Sequence, residues 1–370
     1  MLHFNDPKRK FIQQKLDFLK DFSILIESGS YIKGEIERKF EDRLKEYLNV
    51  DFFSGCGNGT DAITISLIAS GIPSGSKVLV PAMTAQASIV AIIRAGMIPV
   101  FVDVNLQGLI DIDTTEMAIK LHNPSAVLVV HLYGLTACLD LIKKCQKSGI
   151  IVIEDCAQAF GSKFPSGDYV GTVGDFGAHS FYPTKNLSTI GDAGGISIKS
   201  DVNNLGHVIK STAEYGWTSQ REVVRLGFNS RIDEIHCSII INQLNAFKQQ
   251  SKSKKETCNK YLDKLDKHPR ITTLINHQDV LRCELHIFSI LVDECSGIDQ
   301  YFKDRGVILG RHYDKPLPSH RQFEKFEFVK LNSKSNASLI AETQRSLPFF
   351  PYLINQEIEL ILEILNDYQS

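Results

Sequence analysis

A pair of acidic residues and a lysine follow two neighbouring apolar segments near the middle of the chain. Residues 150–153 form a short apolar run that is typical of a buried strand, and Glu154 and Asp155 come directly after it. Residues 176–181 indicate another strand, and Lys185 follows soon after it. Because ligands collect at the carboxyl ends of strands in open α/β sheets, we expect Asp155 and Lys185 to border one pocket.

Lysine and aspartate in this arrangement suit a particular cofactor chemistry. A lysine beside a pocket can form a Schiff base with an aldehyde, and pyridoxal phosphate is the usual aldehyde. The ring nitrogen of that cofactor needs an aspartate partner to stay protonated, so we assign Lys185 to the aldehyde and Asp155 to the ring nitrogen. A lone lysine or aspartate would be a solvated surface charge in most proteins. The surrounding glycines favour a site instead; they are Gly171, Gly174, Gly191, Gly194 and Gly195.

A glycine-rich turn earlier in the chain leads into an apolar helix at residues 62–69. Such a turn presents free backbone N–H groups and the positive end of the helix dipole to an anion. Two interpretations fit the residues equally well. Gly59 and Thr60 could form a cup for a phosphate, or Thr60 and Asp61 could simply cap the helix.

The order of the predicted elements indicates an α/β fold. After a helical segment at residues 1–48, strands at 51–54, 78–80, 99–103 and 126–131 alternate with helices, which predicts a mostly parallel sheet. After residue 248 we expect a smaller unit, with a strand at 286–292, a helix at 298–305 and a strand at 306–313. The predicted domains are therefore 1–248 and 249–370. The intervening lysines Lys252, Lys254 and Lys255 indicate a helix with a solvated face.

Three runs of sequence resemble a known family. The runs EDCAQAFG, GTVGDFGAHSFYPTKN and GDAGG resemble the DegT/DnrJ/EryC1/StrS family of pyridoxal-phosphate sugar aminotransferases, and the resemblance covers nearly the whole chain. It implies a fold-type I transferase, with a large domain around a mostly parallel sheet and a smaller α+β domain at the carboxyl end. It also favours the phosphate interpretation for Gly59 and Thr60.

The resemblance implies further site residues. Ser180 matches a serine that binds the cofactor phosphate, and Gln158 matches a glutamine beside the phenolic oxygen of the ring. If a helix begins at Asp155, Gln158 lies one turn further on and faces the same side. Asn229, in the run GFNSRIDE, matches an asparagine that reaches the phosphate of the neighbouring subunit, which implies a homodimer. Possible substrate contacts are Gly34, His312 and Tyr313.

The sequence departs from the family pattern at Ala85. An aromatic ring or a histidine usually follows Thr84 in the family and stacks on the cofactor ring. We expect either Met83 or Gln86 to cover the ring here, or the pocket to be looser.

Composition excludes several other classes of protein. The chain has 370 residues, 43% hydrophobic and 23% charged, with a formal net charge of -2, which argues against binding to nucleic acid or to a membrane surface. No apolar stretch approaches the length of a membrane-spanning helix, and the start lacks the apolar core of a secretory signal. The eight cysteines include no CxxC pair, so neither disulfides nor a metal site is indicated. We expect a cytoplasmic enzyme.

The predicted reaction moves an amino group from L-glutamate to a keto group of a nucleotide-linked keto-deoxysugar, for the synthesis of amino sugars or surface polysaccharides. The GDAGG run and the segment Tyr215-Gly216-Trp217 favour a 3-keto-6-deoxyhexose. Two alternatives remain open: a 4-keto nucleotide sugar, or a non-catalytic regulator that keeps the fold. Related dehydratases carry histidine in place of the lysine, so Lys185 argues against that activity.

Overall fold

The structure is a computed structural model and describes residues 1–293, 295 and 297–368. Strands β1 to β13, in chain order, are Leu2–His3, Phe52–Cys56, Lys77–Pro81, Ile98–Val102, Ala126–Val130, Ile151–Asp155, Phe176–Ser180, Gly194–Ile198, Ile271–Thr273, Phe288–Val292, Val307–Ile308, Phe328–Val329 and Gln344–Leu347. Helices α1 to α13 are Pro7–Ile12, Lys15–Ser28, Glu35–Leu48, Gly59–Ala69, Gln86–Arg94, Ile112–His122, Leu139–Lys147, Leu205–Ala213, Glu234–Leu265, His277–Arg282, Ile298–Asp304, Asn336–Thr343 and Asn355–Asp367.

A large sheet forms the centre of the molecule, with strand order β12-β4-β3-β5-β6-β7-β8-β2. Its strands pair in parallel except β8, which runs antiparallel to both β7 and β2. Strands such as β5, with the sequence AVLVV, are buried along their whole length because helices cover both faces of the sheet. The predicted α/β class with a mostly parallel sheet is confirmed.

A smaller antiparallel sheet, β13-β10-β9, lies in the carboxyl-terminal part of the chain and packs with helices, as the α+β prediction requires. Helix α9 runs without interruption from Glu234 to Leu265, so residue 248 lies within it. Strand β12 also returns to pair with β4 of the large sheet. The division into 1–248 and 249–370 stays a prediction.

The carboxyl ends of β6 and β7 position the predicted site. These strands pair in parallel, with Asp155 opposite Ala178, so the residues that follow both strands emerge at the same edge of the sheet. Residues 157–161 form turns, so no helix begins at Asp155 in this described segment. The strand expected at 306–313 is confined to Val307–Ile308, and His312 and Tyr313 lie beyond it.

None of the helices in the described part of the chain combines the length and the apolar composition needed to cross a bilayer.

Candidate active site

Lys185 lies in a turn just after β7, where its backbone N–H donates to the Tyr182 carbonyl at 2.9 Å. Its side chain is half-buried, and its Nζ has no hydrogen-bond acceptor among the described residues. Burial lowers the pKa of Lys185, and the charge of Asp155 partly offsets that effect. An amine with a lowered pKa is more readily available as a nucleophile and as a base.

Asp155 is the last residue of β6 and is 6% exposed. Its carboxylate accepts hydrogen bonds from the Ala157 N–H at 3.1 Å and from the Ser88 hydroxyl at 3.2 Å. Burial raises the pKa of Asp155, whereas the Ala157 N–H and the charge of Lys185 lower it. Two donors leave the carboxylate with capacity for another, which suits a protonated ring nitrogen.

Gln158 is held by two tyrosines from distant parts of the chain. Its Oε1 accepts from the Tyr133 backbone N–H at 2.7 Å, and its Nε2 donates to the Tyr313 hydroxyl at 2.6 Å. Both tyrosines have left-handed backbone conformations, with φ of 60° and 57°. The structure therefore brings Gln158 and Tyr313, two of the predicted residues, into direct contact.

The start of α4 approaches Ser180 closely. A Cβ added to Gly59 would lie 2.8 Å from the Ser180 Cβ, so only glycine leaves room there. Asn58 caps the helix by accepting from the Asp61 N–H at 2.8 Å. The N–H groups of Gly59 and Thr60 belong to the first turn, where a helix offers no acceptor of its own. Gly59, Thr60 and Ser180 thus form a cradle of donors that fits a phosphate.

His312 lines a cavity that it shares with Thr184 and His286. Its Nδ1 is 2.8 Å from the Ser346 hydroxyl. Burial, together with the charge of Lys185, lowers the pKa of His312 to about 4. His312 is therefore a neutral imidazole at physiological pH.

Gly34 and Asn229 contact a different set of residues from those around Lys185. The Gly34 N–H donates to Glu234 at 2.6 Å, and Asn229 is exposed and bridges the backbone of Glu214. Lys33, next to Gly34, forms an ion pair with Glu214. Among the described residues, those lining the cavity at Lys33 and Glu214 include none that line the cavity at Lys185. The site roles of Gly34 and Asn229 therefore stay predictions.

The structure adds two residues that the sequence did not reveal. Lys10 donates to the Lys185 carbonyl at 2.9 Å, and Lys254 donates to the side-chain oxygen of Asn186 at 2.9 Å. Both lysines are buried, so the expectation that Lys254 belongs to a solvated helix face was wrong. Lysine-rich sequence alone gave no signal, because the contacts that bury these residues are far away in the chain.

His131, Glu154 and Cys156 form a compact buried cluster, with potential metal-binding atoms within 4.8 Å of one another. His131 Nδ1 accepts from the Ala137 N–H at 3.1 Å, so its Nε2 carries the proton that is donated to Glu154 at 2.9 Å. Burial raises the pKa of the Cys156 thiol well above its ordinary value. With both imidazole nitrogens used and the thiol protonated, the cluster is a structural hydrogen-bonded group.

Ala85, at the start of α5, is half-buried and offers no ring. Met83 is buried in the hydrophobic core, whereas Gln86 is exposed.

A nucleophilic lysine facing a carboxylate at the strand ends, beside a phosphate cradle at a helix start, defines an α/β enzyme of the fold-type I pyridoxal-phosphate class. The model of the DegT/DnrJ/EryC1/StrS aminotransferase family matches residues 13–366, and the chain belongs to this family.

Relatives align with nearly the full chain. A pleiotropic regulatory protein of Geobacillus stearothermophilus is 30% identical over 98% of this chain and 97% of its own. A dTDP-3-amino-3,6-dideoxy-alpha-D-galactopyranose transaminase of Aneurinibacillus thermoaerophilus is 30% identical over 100% of this chain and 99% of its own. The crystal structure of DesV from S. venezuelae, in complex with a ketimine intermediate, is 25% identical, with a TM-score of 0.92 over 100% of this chain and 98% of DesV. The chain is an aminotransferase, and pyridoxal phosphate is its cofactor.

Proposed function

We propose that this enzyme transfers the amino group of L-glutamate to the keto group of a nucleotide-linked keto-deoxysugar, as a step in the synthesis of amino sugars or surface polysaccharides. The observation that carries the proposal is the Nζ of Lys185, which has no acceptor among the residues that the structure describes and interacts with the charge of Asp155 near the Gly59 cradle. The name of the A. thermoaerophilus relative supports a 3-keto-6-deoxyhexose as the acceptor.

Each site residue has a role in this proposal. Pyridoxal phosphate supplies an aldehyde and an electron sink. The Asp155 carboxylate holds a proton at the ring nitrogen, and the Lys185 Nζ removes the proton from the donor Cα and returns it during nitrogen transfer. Gln158, fixed by its hydrogen bonds to Tyr133 and Tyr313, orients the ring through its phenolic oxygen.

The remaining site residues bind the cofactor phosphate and position the substrate. The N–H groups of Gly59 and Thr60 and the Ser180 hydroxyl hold the phosphate. His312 lies beside Lys185 and, as a neutral imidazole, can donate a hydrogen bond to the substrate or accept one from it. Tyr313 contacts the substrate from the position that its hydrogen bond with Gln158 fixes. Gly34 lies in the same region of the chain as Asn229, because its neighbour Lys33 pairs with Glu214, which bridges Asn229. From there Gly34 borders the sugar.

Homodimerisation completes the proposed site. Asn229 is exposed in the single chain, as a residue that reaches the neighbouring subunit's phosphate must be. Large apolar side chains on α2 are also exposed, which supports a protein interface there; they are Leu16, Leu19, Phe22 and Ile26. The free cysteines support a reducing compartment, the cytoplasm.

A labelled assay tests the substrate. Holoenzyme would be incubated with nitrogen-15 L-glutamate and either the 3-keto or the 4-keto form of a dTDP-6-deoxyhexose, and the sugar product analysed by mass spectrometry. We expect the label in the 3-keto sugar. Turnover of only the 4-keto form would overturn the 3-keto assignment.

A regulatory role is the second candidate, because the relative from G. stearothermophilus is named a pleiotropic regulatory protein. The presence of both Lys185 and Asp155 favours catalysis over regulation alone. Holoenzyme that binds its cofactor but aminates neither sugar would favour the regulatory role.

A further inference from the structure

We propose that Lys10 and Lys254 form an anion pocket beside Lys185 that receives a carboxylate of the amino donor. The inference rests on the proposed use of L-glutamate as that donor, and it assigns a binding role to two residues outside the cofactor site.

Lys10 reaches the site from the first helix, α1. Its side chain is buried, and its Nζ donates to the Lys185 carbonyl at 2.9 Å and to the Ser188 hydroxyl. Both acceptors are neutral. An ammonium group has three N–H donors, so one of them has no acceptor among the described residues.

Lys254 reaches the same loop from the middle of α9. Its Nζ donates to the Asn186 side-chain oxygen at 2.9 Å and to the Leu285 carbonyl at 2.6 Å, which are again neutral groups. One N–H of Lys254 likewise has no acceptor in the described part of the chain. The two buried lysines thus hold consecutive residues, Lys185 and Asn186.

Neither lysine has a carboxylate partner within the described residues. The nearby acidic groups form ion pairs with other residues, Asp6 with Arg9 at 3.1 Å and Glu284 with Lys255 at 3.1 Å. The charge of Glu284 acts to raise the pKa of Lys254, but burial outweighs it. Burial lowers the pKa of Lys10 to about 7 and that of Lys254 to about 8. Proteins rarely bury an ammonium group without an anion, because the lost hydration is not replaced.

An open cavity provides the place for the missing anion. Lys10 and Lys254 both line it, together with Lys185 and His286. A bound carboxylate there would accept the two unused N–H groups and supply the negative charge. Gly59 and Ser180, which we assign to the cofactor phosphate, are not among the residues that line this cavity.

We assign the cavity to the amino donor on the charges of that donor. L-Glutamate must bring its amine to the position of Lys185, and its other polar groups are two carboxylates. The diphosphate of a nucleotide sugar is also anionic, so the experiment includes it as a separate ligand.

Binding of glutarate to holoenzyme by isothermal titration calorimetry tests the pocket. Glutarate has two carboxylates and no amine, so its binding is measured whether or not the enzyme transaminates L-glutamate. In Lys10→Gln and Lys254→Gln, a neutral donor replaces the charge, and we expect the Kd to rise about 10- to 100-fold. Lys252→Gln is the matched control, because Lys252 is exposed on the same helix, and its Kd should stay within about twofold of wild type.

Binding of dTDP, which carries the diphosphate of the nucleotide sugar, is measured in the same variants. Three results would overturn the proposal: wild-type holoenzyme that does not bind glutarate, an affinity for glutarate that is unchanged in both variants, or variants that lose affinity for dTDP but not for glutarate. The last result would assign the pocket to the nucleotide. Lys10→Arg keeps the positive charge and should therefore retain the glutarate binding that Lys10→Gln loses. A purely structural role of Lys10 does not require this result.

Cofactor absorbance and circular dichroism establish that each variant is folded, and Lys254→Gln decides the question if Lys10→Gln does not fold. Failure of the proposed function gives a different result: glutarate binds through the two lysines, but L-glutamate is not converted.

Discussion

Glu154 and Lys10 are both buried charged residues next to the candidate site, but the chain treats their charges in opposite ways. Glu154 accepts from His131 at 2.9 Å, from the Val173 N–H at 2.9 Å and from the Gly174 N–H at 2.6 Å. Burial acts to raise the pKa of Glu154, but these hydrogen bonds outweigh it and the pKa is lowered. Lys10 has only neutral acceptors, and burial lowers its pKa to about 7.

This difference distinguishes a buried charge with a structural role from a buried charge with a role in binding. A buried charge that the chain fully compensates fixes the local fold, as Glu154 does by tying β6 to the 173–174 loop. A buried charge that the chain leaves uncompensated costs stability, and a site that binds an oppositely charged ligand recovers that cost. Comparing the responses of the two regions to substitution tests this interpretation.

Removing the compensated carboxylate should have the largest effect. Glu154→Ala leaves the His131 Nε2–H and two backbone N–H groups buried without acceptors, so we expect the free energy of unfolding to fall by about 3–5 kcal/mol. Urea unfolding followed by circular dichroism measures it. Glu154→Gln keeps one acceptor oxygen, so its free energy of unfolding should fall by less. A fall below about 1 kcal/mol in Glu154→Ala would contradict the full compensation of the Glu154 charge.

Removing the uncompensated lysine should have the opposite sign and depend on pH. The ordinary pKa of lysine, 10.5, applies to the unfolded chain, against about 7 in the folded protein. Below pH 7 both states carry the charge and the whole cost of burial is present. Between these pKa values the folded state loses its proton first, so the unfolded state binds more protons and wild-type stability rises with pH.

The stability of Lys10→Met relative to wild type should therefore be greatest near pH 6.5 and decline by up to about 4 kcal/mol toward pH 10. Urea unfolding at pH 6.5, 8 and 9.5 measures the trend. Lys8→Met, at an exposed lysine of the same helix, provides the control and should show no such slope. A flat difference for Lys10→Met would mean that Lys10 is compensated after all.

The sequence predicted the residues at the ends of β6 and β7 better than the buried lysines Lys10 and Lys254. The reason is the distance along the chain between the residues in contact. Asp155, Ser180 and Lys185 follow strands that pair side by side, so a parallel-sheet prediction alone brings them together. Gly59 and Thr60 were placed by a local turn-to-helix pattern. The rule that strand ends share an edge placed Asp155 and Lys185. The resemblance to the family was needed to identify Ser180 and to choose the phosphate interpretation for Gly59 and Thr60.

The burial of Lys10 and Lys254 and the contact of Tyr313 with Gln158 needed tertiary information. Lys10 contacts a residue 175 positions later, and Gln158 contacts Tyr313 across 155 positions. A lysine-rich helix is solvated in most proteins, and only packing against the 183–186 loop buries Lys254. A helix from Asp155 also does not form, because the Ala157 N–H donates to the Asp155 side chain and Gln158 accepts from the distant Tyr133 N–H.

The smallest expected effect concerns the open face at Ala85. Ala85→Tyr adds a ring near the helix that supplies Ser88 to Asp155, and stacking on the cofactor is worth about 0.5–1.5 kcal/mol. We expect the Kd for pyridoxal phosphate, measured by fluorescence titration of apoenzyme, to fall about two- to tenfold. Ala85→Leu adds bulk without an aromatic face. Equal tightening in both variants would show that bulk rather than stacking matters.

The most direct test of the site is to find which lysine the cofactor occupies, because Lys185, Lys10 and Lys254 are all buried or half-buried amines with lowered pKa values around one cavity. Borohydride treatment of holoenzyme fixes the cofactor to its lysine, and peptide mass spectrometry then identifies the residue. We expect the label on Lys185, and we expect that adding L-glutamate before reduction abolishes it. A label on Lys10 or Lys254 would contradict it.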